Sequence, residues 1–301
     1  RYLAGEKLYG PTASIERGPR SNLSLRETCM TADFSVDCSS LDRPEVLACL
    51  FYPRRGDNRE APAGACDLTI PVAETVTVGA RAHLAEPSAA NILFFHGNGE
   101  IVEDYDEIGA CYVEREINFV AVDYRGYGCA TGWPSASALL ADSHRILDFI
   151  TVWLQQRGHT GPLLVMGRSL GSAPALELAW RRSDRVAGLI LESAFAHTGP
   201  LLRRIGVDFS ALPDFSETHG FRQLDKIRTF AKPTLIIHAE RDRLIPSTEG
   251  QALYEASPAP DKHCLMIPRA DHNTIFALGL RPYLDSVQVF ADPLRFVSSA
   301  S

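Results

Sequence analysis

A serine hydroxyl attacks a carbonyl only with help. It needs a base to take its proton, an acid to orient that base, and donors to receive the oxyanion. Ser169 has the setting for such chemistry. It stands in Gly167-Arg168-Ser169-Leu170-Gly171, after the apolar stretch at residues 162–166 and before a helix-like segment. Gly-x-Ser-x-Gly on a strand-to-helix turn exposes the serine hydroxyl in front of a helix N-terminus. Gly167 and Gly171 bring no Cβ to that turn, so strand and helix can approach closely. The pentapeptide alone is weak, since about one chain in ten carries it by chance. Its partners decide.

In this arrangement the partners follow in the order serine, acid, histidine, beyond the C-terminal ends of parallel strands. Of nine histidines, His263 and His272 lie after the acid-bearing loop. His263 opens a strand and so sits at the wrong end of a sheet. His272 follows that strand and is the expected base, although a loop histidine beside a helix start would look alike. Asp242, just past the strand-end His238, is the leading acid. Glu240 is a rival, and Glu192, directly after another strand, is a third option that could instead tie down the following segment. The oxyanion donors expected are the amide N–H of Leu170 and one from His96-Gly97-Asn98-Gly99-Glu100, with Asn98 first and Gly99 second. His96 precedes the serine and is expected to shape its loop. Arg168 either favours an anionic group or points outward.

These residues require a particular scaffold. Strands are expected at 91–95, 117–123, 163–166, 186–191, 234–238 and 263–267. Helices are expected at 103–115, 135–156, 172–182, 247–256 and 273–290. Short apolar strands alternating with amphipathic helices make a mostly parallel sheet covered on both faces. Upstream, 46–52 and 74–84 read as strands within an irregular β-like stretch, and 54–64 as a loop. Residues 1–32 form an irregular N-terminal segment, 33–295 the α/β domain, and 296–301 a C-terminal tail. Within the domain, about 193–233 breaks the rhythm without a clean strand. That insertion is long enough for a small lid and too short for a multi-helix cap domain.

Composition narrows the function. A net charge of −7 and a pI near 5.7 argue against a nucleic-acid partner. No apolar run reaches the ~20 residues of a transmembrane helix. Asp123-Tyr124-Arg125-Gly126-Tyr127-Gly128 lacks a Walker lysine and G-x-G-x-x-G spacing, so no nucleotide is expected. No H-E-x-x-H or zinc-type spacing occurs, so neither metal nor other cofactor is expected. The seven cysteines (Cys29, Cys38, Cys49, Cys66, Cys111, Cys129 and Cys264) are widely spaced. They read as thiols of a reducing compartment, with a disulfide among the first four as the alternative. A cytoplasmic location is the expectation, with the segment before Arg1 left open.

Taken in order, Phe94-Phe95-His96-Gly97-Asn98-Gly99-Glu100, the segment at 123–128, the serine pentapeptide, and the Asp242 and His272 loops resemble an α/β-hydrolase over about 70–290. The HGN loop and DYRGYG segment are most similar to the Bem46-like and ABHD17/ABHD13-like serine hydrolases and the serine aminopeptidase S33-type group. Cys129-Ala130-Thr131 and Ala239 depart from the small residues and glycine usual there. The resemblance implies an α/β-hydrolase fold with a short lid, acting on an ester, thioester or lipid-like acyl substrate. An aminopeptidase holding a free amine with Asp214 or Glu217, and a non-catalytic binding protein, are the alternatives.

Overall fold

The computed structural model describes residues 38–57 and 59–297. The segment expected to be irregular at 1–32, and Cys29 within it, lie outside the described residues. An eight-stranded sheet runs in the order β1-β2-β4-β3-β5-β6-β7-β8. Its strands are β1 (Ala65–Ala73), β2 (Val76–His83), β3 (Ala90–Phe95), β4 (Ile117–Val122), β5 (Leu163–Arg168), β6 (Gly188–Glu192), β7 (Thr234–Ala239) and β8 (Lys262–Ile267). The β1–β2 and β2–β4 pairs are antiparallel, and the pairs from β4 to β8 are parallel.

Period-two alternation explains why the central strands are mostly apolar on both faces. Leu93 and Phe95 of β3 join the core that faces α3 (Ala136–Gln156) and α4 (Ser172–Arg181). Ile92 and Phe94 join the core that faces α2 (Asp106–Val113) and α8 (Ile275–Val297). A strand buried on both faces has no polar side to show. Helix α3 begins where Ser135 Oγ accepts the Ala138 N–H at 3.1 Å, an N-cap at the start of the expected segment.

The topology also fixes where loops converge. From β3 the chain moves to β4 on one side, then returns to β5 on the other. Loops after β3 and β5 therefore diverge at a topological switch point, where parallel sheets leave a crevice.

Three readings are corrected. Residues 46–52 form no strand; they lie largely in helix α1 (Pro44–Leu50). Pro44 opens that helix, where its fixed φ suits and its missing N–H costs nothing. Val46 and Leu50, four apart, are its buried positions. Strand β1 was hidden in the irregular stretch, because it is an edge strand that carries Pro71 and a register shift between Pro71 and Ala73. Helix α8 runs to Val297, past the boundary expected at 295, and is kinked at Gly279, three residues before Pro282. The 193–233 interval contains the short helices α5 (Thr198–Arg204) and α6 (Gln223–Ile227), with α7 (Ser247–Ala256) beyond it.

Candidate active site

Ser169 follows directly on β5, where the chain turns into α4. Its φ is 51°, a left-handed value that a side chain with Cβ adopts at a cost of about 1–3 kcal/mol. The glycines permit the turn. A Cβ on Gly171 would lie 2.0 Å from the Phe95 carbonyl oxygen, and one on Gly167 would lie 2.2 Å from the Gly171 oxygen. The Ser169 carbonyl accepts the Ser172 O–H at 2.6 Å, and Gln223 donates to Ser172 Oγ at 3.1 Å.

Three loops bring polar side chains together here. His272 Nδ1 lies 2.7 Å from Asp242 Oδ2, and His272 Nε2 lies 3.0 Å from Ser169 Oγ. A carboxylate only accepts, so Nδ1–H donates to Asp242, which leaves Nε2 to accept the Ser169 O–H. The other Asp242 oxygen accepts the N–H groups of Leu244 at 3.0 Å and Ile245 at 2.8 Å. Burial pushes the Asp242 carboxyl up, but its bond to His272 and the Ile245 N–H outweigh this and hold it below the usual range. His238 donates through Nε2 to the Ile245 carbonyl at 2.8 Å, bracing the same loop, and burial lowers its pKa. The acid and histidine loops are joined by Glu240 N–H to Ile267 and Arg241 N–H to Ala270.

The rival residues have other partners. Glu240 accepts the Arg269 N–H at 2.6 Å. His263 is exposed at the start of β8, beside Asp261. Glu192 accepts from Arg168 at 2.5 Å and from the Tyr283 O–H at 2.7 Å. Arg168 neither points outward nor faces open solvent. It is buried among Glu100, Glu192 and the His272 carbonyl. Burial works against its charge, but both carboxylates more than offset that. Nothing in the pentapeptide signals this, since sequence does not show on which side of a turn the residue before the serine emerges.

The loop after β3 is held at nearly every residue. His96 O accepts the Tyr124 O–H at 2.5 Å, Gly99 O accepts Arg54 Nε–H at 3.0 Å, and Gly97 N–H donates to Glu100 Oε2 at 2.7 Å. Asn98 Oδ1 accepts from Tyr52 N–H and Tyr127 O–H, each at 2.7 Å. The Gly97 carbonyl turns inward to His96 Nδ1 at 2.8 Å. Across a trans peptide, the Asn98 N–H therefore points the opposite way, out of the turn. His96 is fully buried beside Asp123, as a residue that shapes this loop. Arg125 pairs bidentately with Asp142 at 2.6 and 2.7 Å, a structural use of the DYRGYG segment.

Among the described residues, no group of three or more His, Cys, Asp or Glu is placed to hold a metal, and no helix is long and apolar enough to cross a membrane. Among the described residues, Cys49, Cys66, Cys111, Cys129 and Cys264 are free thiols, and Cys38 Sγ donates to the Gly220 carbonyl at 3.8 Å.

Comparison with known proteins agrees with this architecture. A family model described as "Serine aminopeptidase, S33" matches residues 86–212. The chain is 32% identical to alpha/beta hydrolase domain-containing protein 17B of Xenopus laevis over 214 residues, which cover 68% of this chain and 67% of that protein. The human 17B protein is 31% identical over 66% of this chain and 65% of its own length. An esterase of Pyrococcus furiosus superposes with a TM-score of 0.64 at 18% identity, covering 81% of this chain and 99% of that one. A soluble variant of Saccharomyces cerevisiae monoglyceride lipase gives a TM-score of 0.56 at 18% identity, over 79% of this chain and 97% of that one. The chain belongs to the α/β-hydrolase family and has its fold. Its match spans about two thirds of the length of these 17B relatives.

Proposed function

We propose that this protein is a serine hydrolase that cleaves carboxylic esters or thioesters through an acyl-enzyme on Ser169. The supporting observation is the continuous relay Asp242–His272–Ser169, with contacts of 2.7 and 3.0 Å, at the C-terminal edge of the sheet. Ser169 Oγ attacks the acyl carbon while its proton passes to His272 Nε2, and the Asp242 charge stabilises the imidazolium. The amide N–H groups of Leu170 and Asn98 receive the oxyanion, a donor of this kind contributing about 10²–10³ in kcat. Collapse breaks the C–O or C–S bond, and His272 protonates the leaving alcohol or thiol. Water then attacks the acyl-enzyme and gives a proton to His272. The acid departs and Ser169 recovers its proton.

An S33-type aminopeptidase is the second reading, favoured by the description of the matching family model. It requires a carboxylate for the substrate's free amine. Glu217 instead accepts the N–H groups of Thr198 and Gly199, each at 2.8 Å, at the start of α5. Asp214 lines a cleft of ≈ 270 Å³ with Ser39, Arg43 and His219, and no relay residue lines that cleft. Both observations favour the ester reading.

A fluorophosphonate probe tests the proposal. The folded protein should be labelled, and Ser169→Ala should not. Equal labelling of the two sinks the reading, as does no labelling of the wild type. Faster turnover of aminoacyl anilides than of p-nitrophenyl esters would select the aminopeptidase.

A further inference from the structure

We propose that Arg168 is a positioning residue that locks the base-bearing loop and the oxyanion loop in one register around Ser169; this rests on the serine-hydrolase reading above. Its guanidinium, with the residue 4% exposed, addresses two loops and a strand end at once. Nε donates to Glu100 Oε1 at 2.8 Å, Nη1 to Glu192 Oε1 at 2.5 Å, and Nη2 to the His272 carbonyl at 2.9 Å. These partners follow β3, end β6 and follow β8, respectively.

Each carboxylate carries the connection further. Glu100 Oε2 accepts the Gly97 N–H at 2.7 Å and the Tyr105 O–H at 2.5 Å. Glu192 Oε2 accepts the Tyr283 O–H at 2.7 Å. An unbroken chain of bonds therefore runs from α8 through Glu192, Arg168 and Glu100 to the N–H of Gly97, the residue before Asn98, with a branch to the backbone of the proposed base. Only a planar fork of five donors can serve such divergent acceptors, which lysine cannot do. One cation between two carboxylates is an expensive group to desolvate, so the cluster is a poor device for stability alone. The Arg168 hydrogen bonds go to Glu100, Glu192 and the His272 carbonyl rather than to the proposed relay side chains. Arg168 acts through the His272 main chain and through Glu100.

The test uses the full chain, with active sites titrated by fluorophosphonate and turnover measured on p-nitrophenyl acetate. Arg168→Lys keeps the charge and loses the fork. Per titrated site, kcat should fall about 10²-fold with KM within about twofold, because small misplacements act on the transition state. The fluorophosphonate labelling rate should fall in parallel. Glu100→Gln added to Arg168→Lys should cost little more, because both act along one connection. Should Arg168→Lys fail to fold, Glu100→Gln and Glu192→Gln carry the test, each lowering kcat at constant KM. Wild-type kcat per site in the lysine variant overturns the proposal, as does a rise in KM alone. So does a lowered Tm with unchanged kcat, or wild-type kcat in both glutamine variants. An unlabelled wild type instead overturns the serine-hydrolase reading itself, before any variant is compared.

Discussion

At the scale of single residues, the Asp242 carboxylate divides its work. One oxygen faces His272, and the other is held by the Leu244 and Ile245 N–H groups. The division fixes the imidazole tautomer. Asp242→Asn keeps the shape but lets an amide N–H face Nδ1, which moves the ring proton to Nε2 and leaves nothing to accept from Ser169. The expected result is a fall in kcat of about 10⁴ with KM nearly unchanged. A loss under about tenfold in steady-state ester hydrolysis would mean that Asp242 is not the acid. That Ser169, Asp242 and His272 would meet was legible because their order and strand-end placement are sequence properties. The setting of Arg168 was not, because its partners Glu100, Glu192 and the His272 carbonyl come together only in the folded chain.

At the scale of elements, the strand–serine–helix turn depends on a close backbone approach as well as on side-chain bonds. A Cβ at Gly171 would meet the Phe95 carbonyl of β3, which cannot rotate away. Gly171→Ala therefore requires β3, β5 or α4 to move, at a cost of about 1–3 kcal/mol or more, and should also slow fluorophosphonate labelling. Gly158→Ala is the contrast, since open space surrounds that site and only its φ of 78° opposes a side chain. A denaturation series in which Gly158→Ala is the more damaging would contradict this account. Elements were readable in proportion to their regularity. The parallel strands stand out as short apolar runs between helices. Helix α1 does not, because seven residues rich in apolar side chains fit either period. The α8 kink escaped because a helical pattern continues on both sides of Gly279 and Pro282.

At the scale of the whole molecule, buried ionisable groups couple stability to pH. Burial opposes ionisation of Glu100, Glu177 and Asp242, yet Arg168, His144 with Lys226, and His272, respectively, hold these carboxyls below their usual range. Burial likewise lowers His83 and His238, keeping them neutral. For every one of these groups the unfolded chain binds protons at higher pH than the folded chain does. Stability therefore rises with pH across the window they define. The loss should begin below the histidine range near ~6.5 and deepen as pH falls through the ordinary carboxylate values near ~4 and beyond. Asp142 works the other way, since burial raises its carboxyl, but it is a single group against several. Thermal unfolding followed from pH 7.5 to 3.5 at constant ionic strength should show a falling Tm. Each 1 kcal/mol lost lowers Tm by about 2–4 °C for domains of 150–250 residues. The fall should steepen in the lower half of that range, where carboxylates join the histidines. A Tm at pH 4 equal to or above that at pH 7 would show that the buried pairs do not govern acid stability.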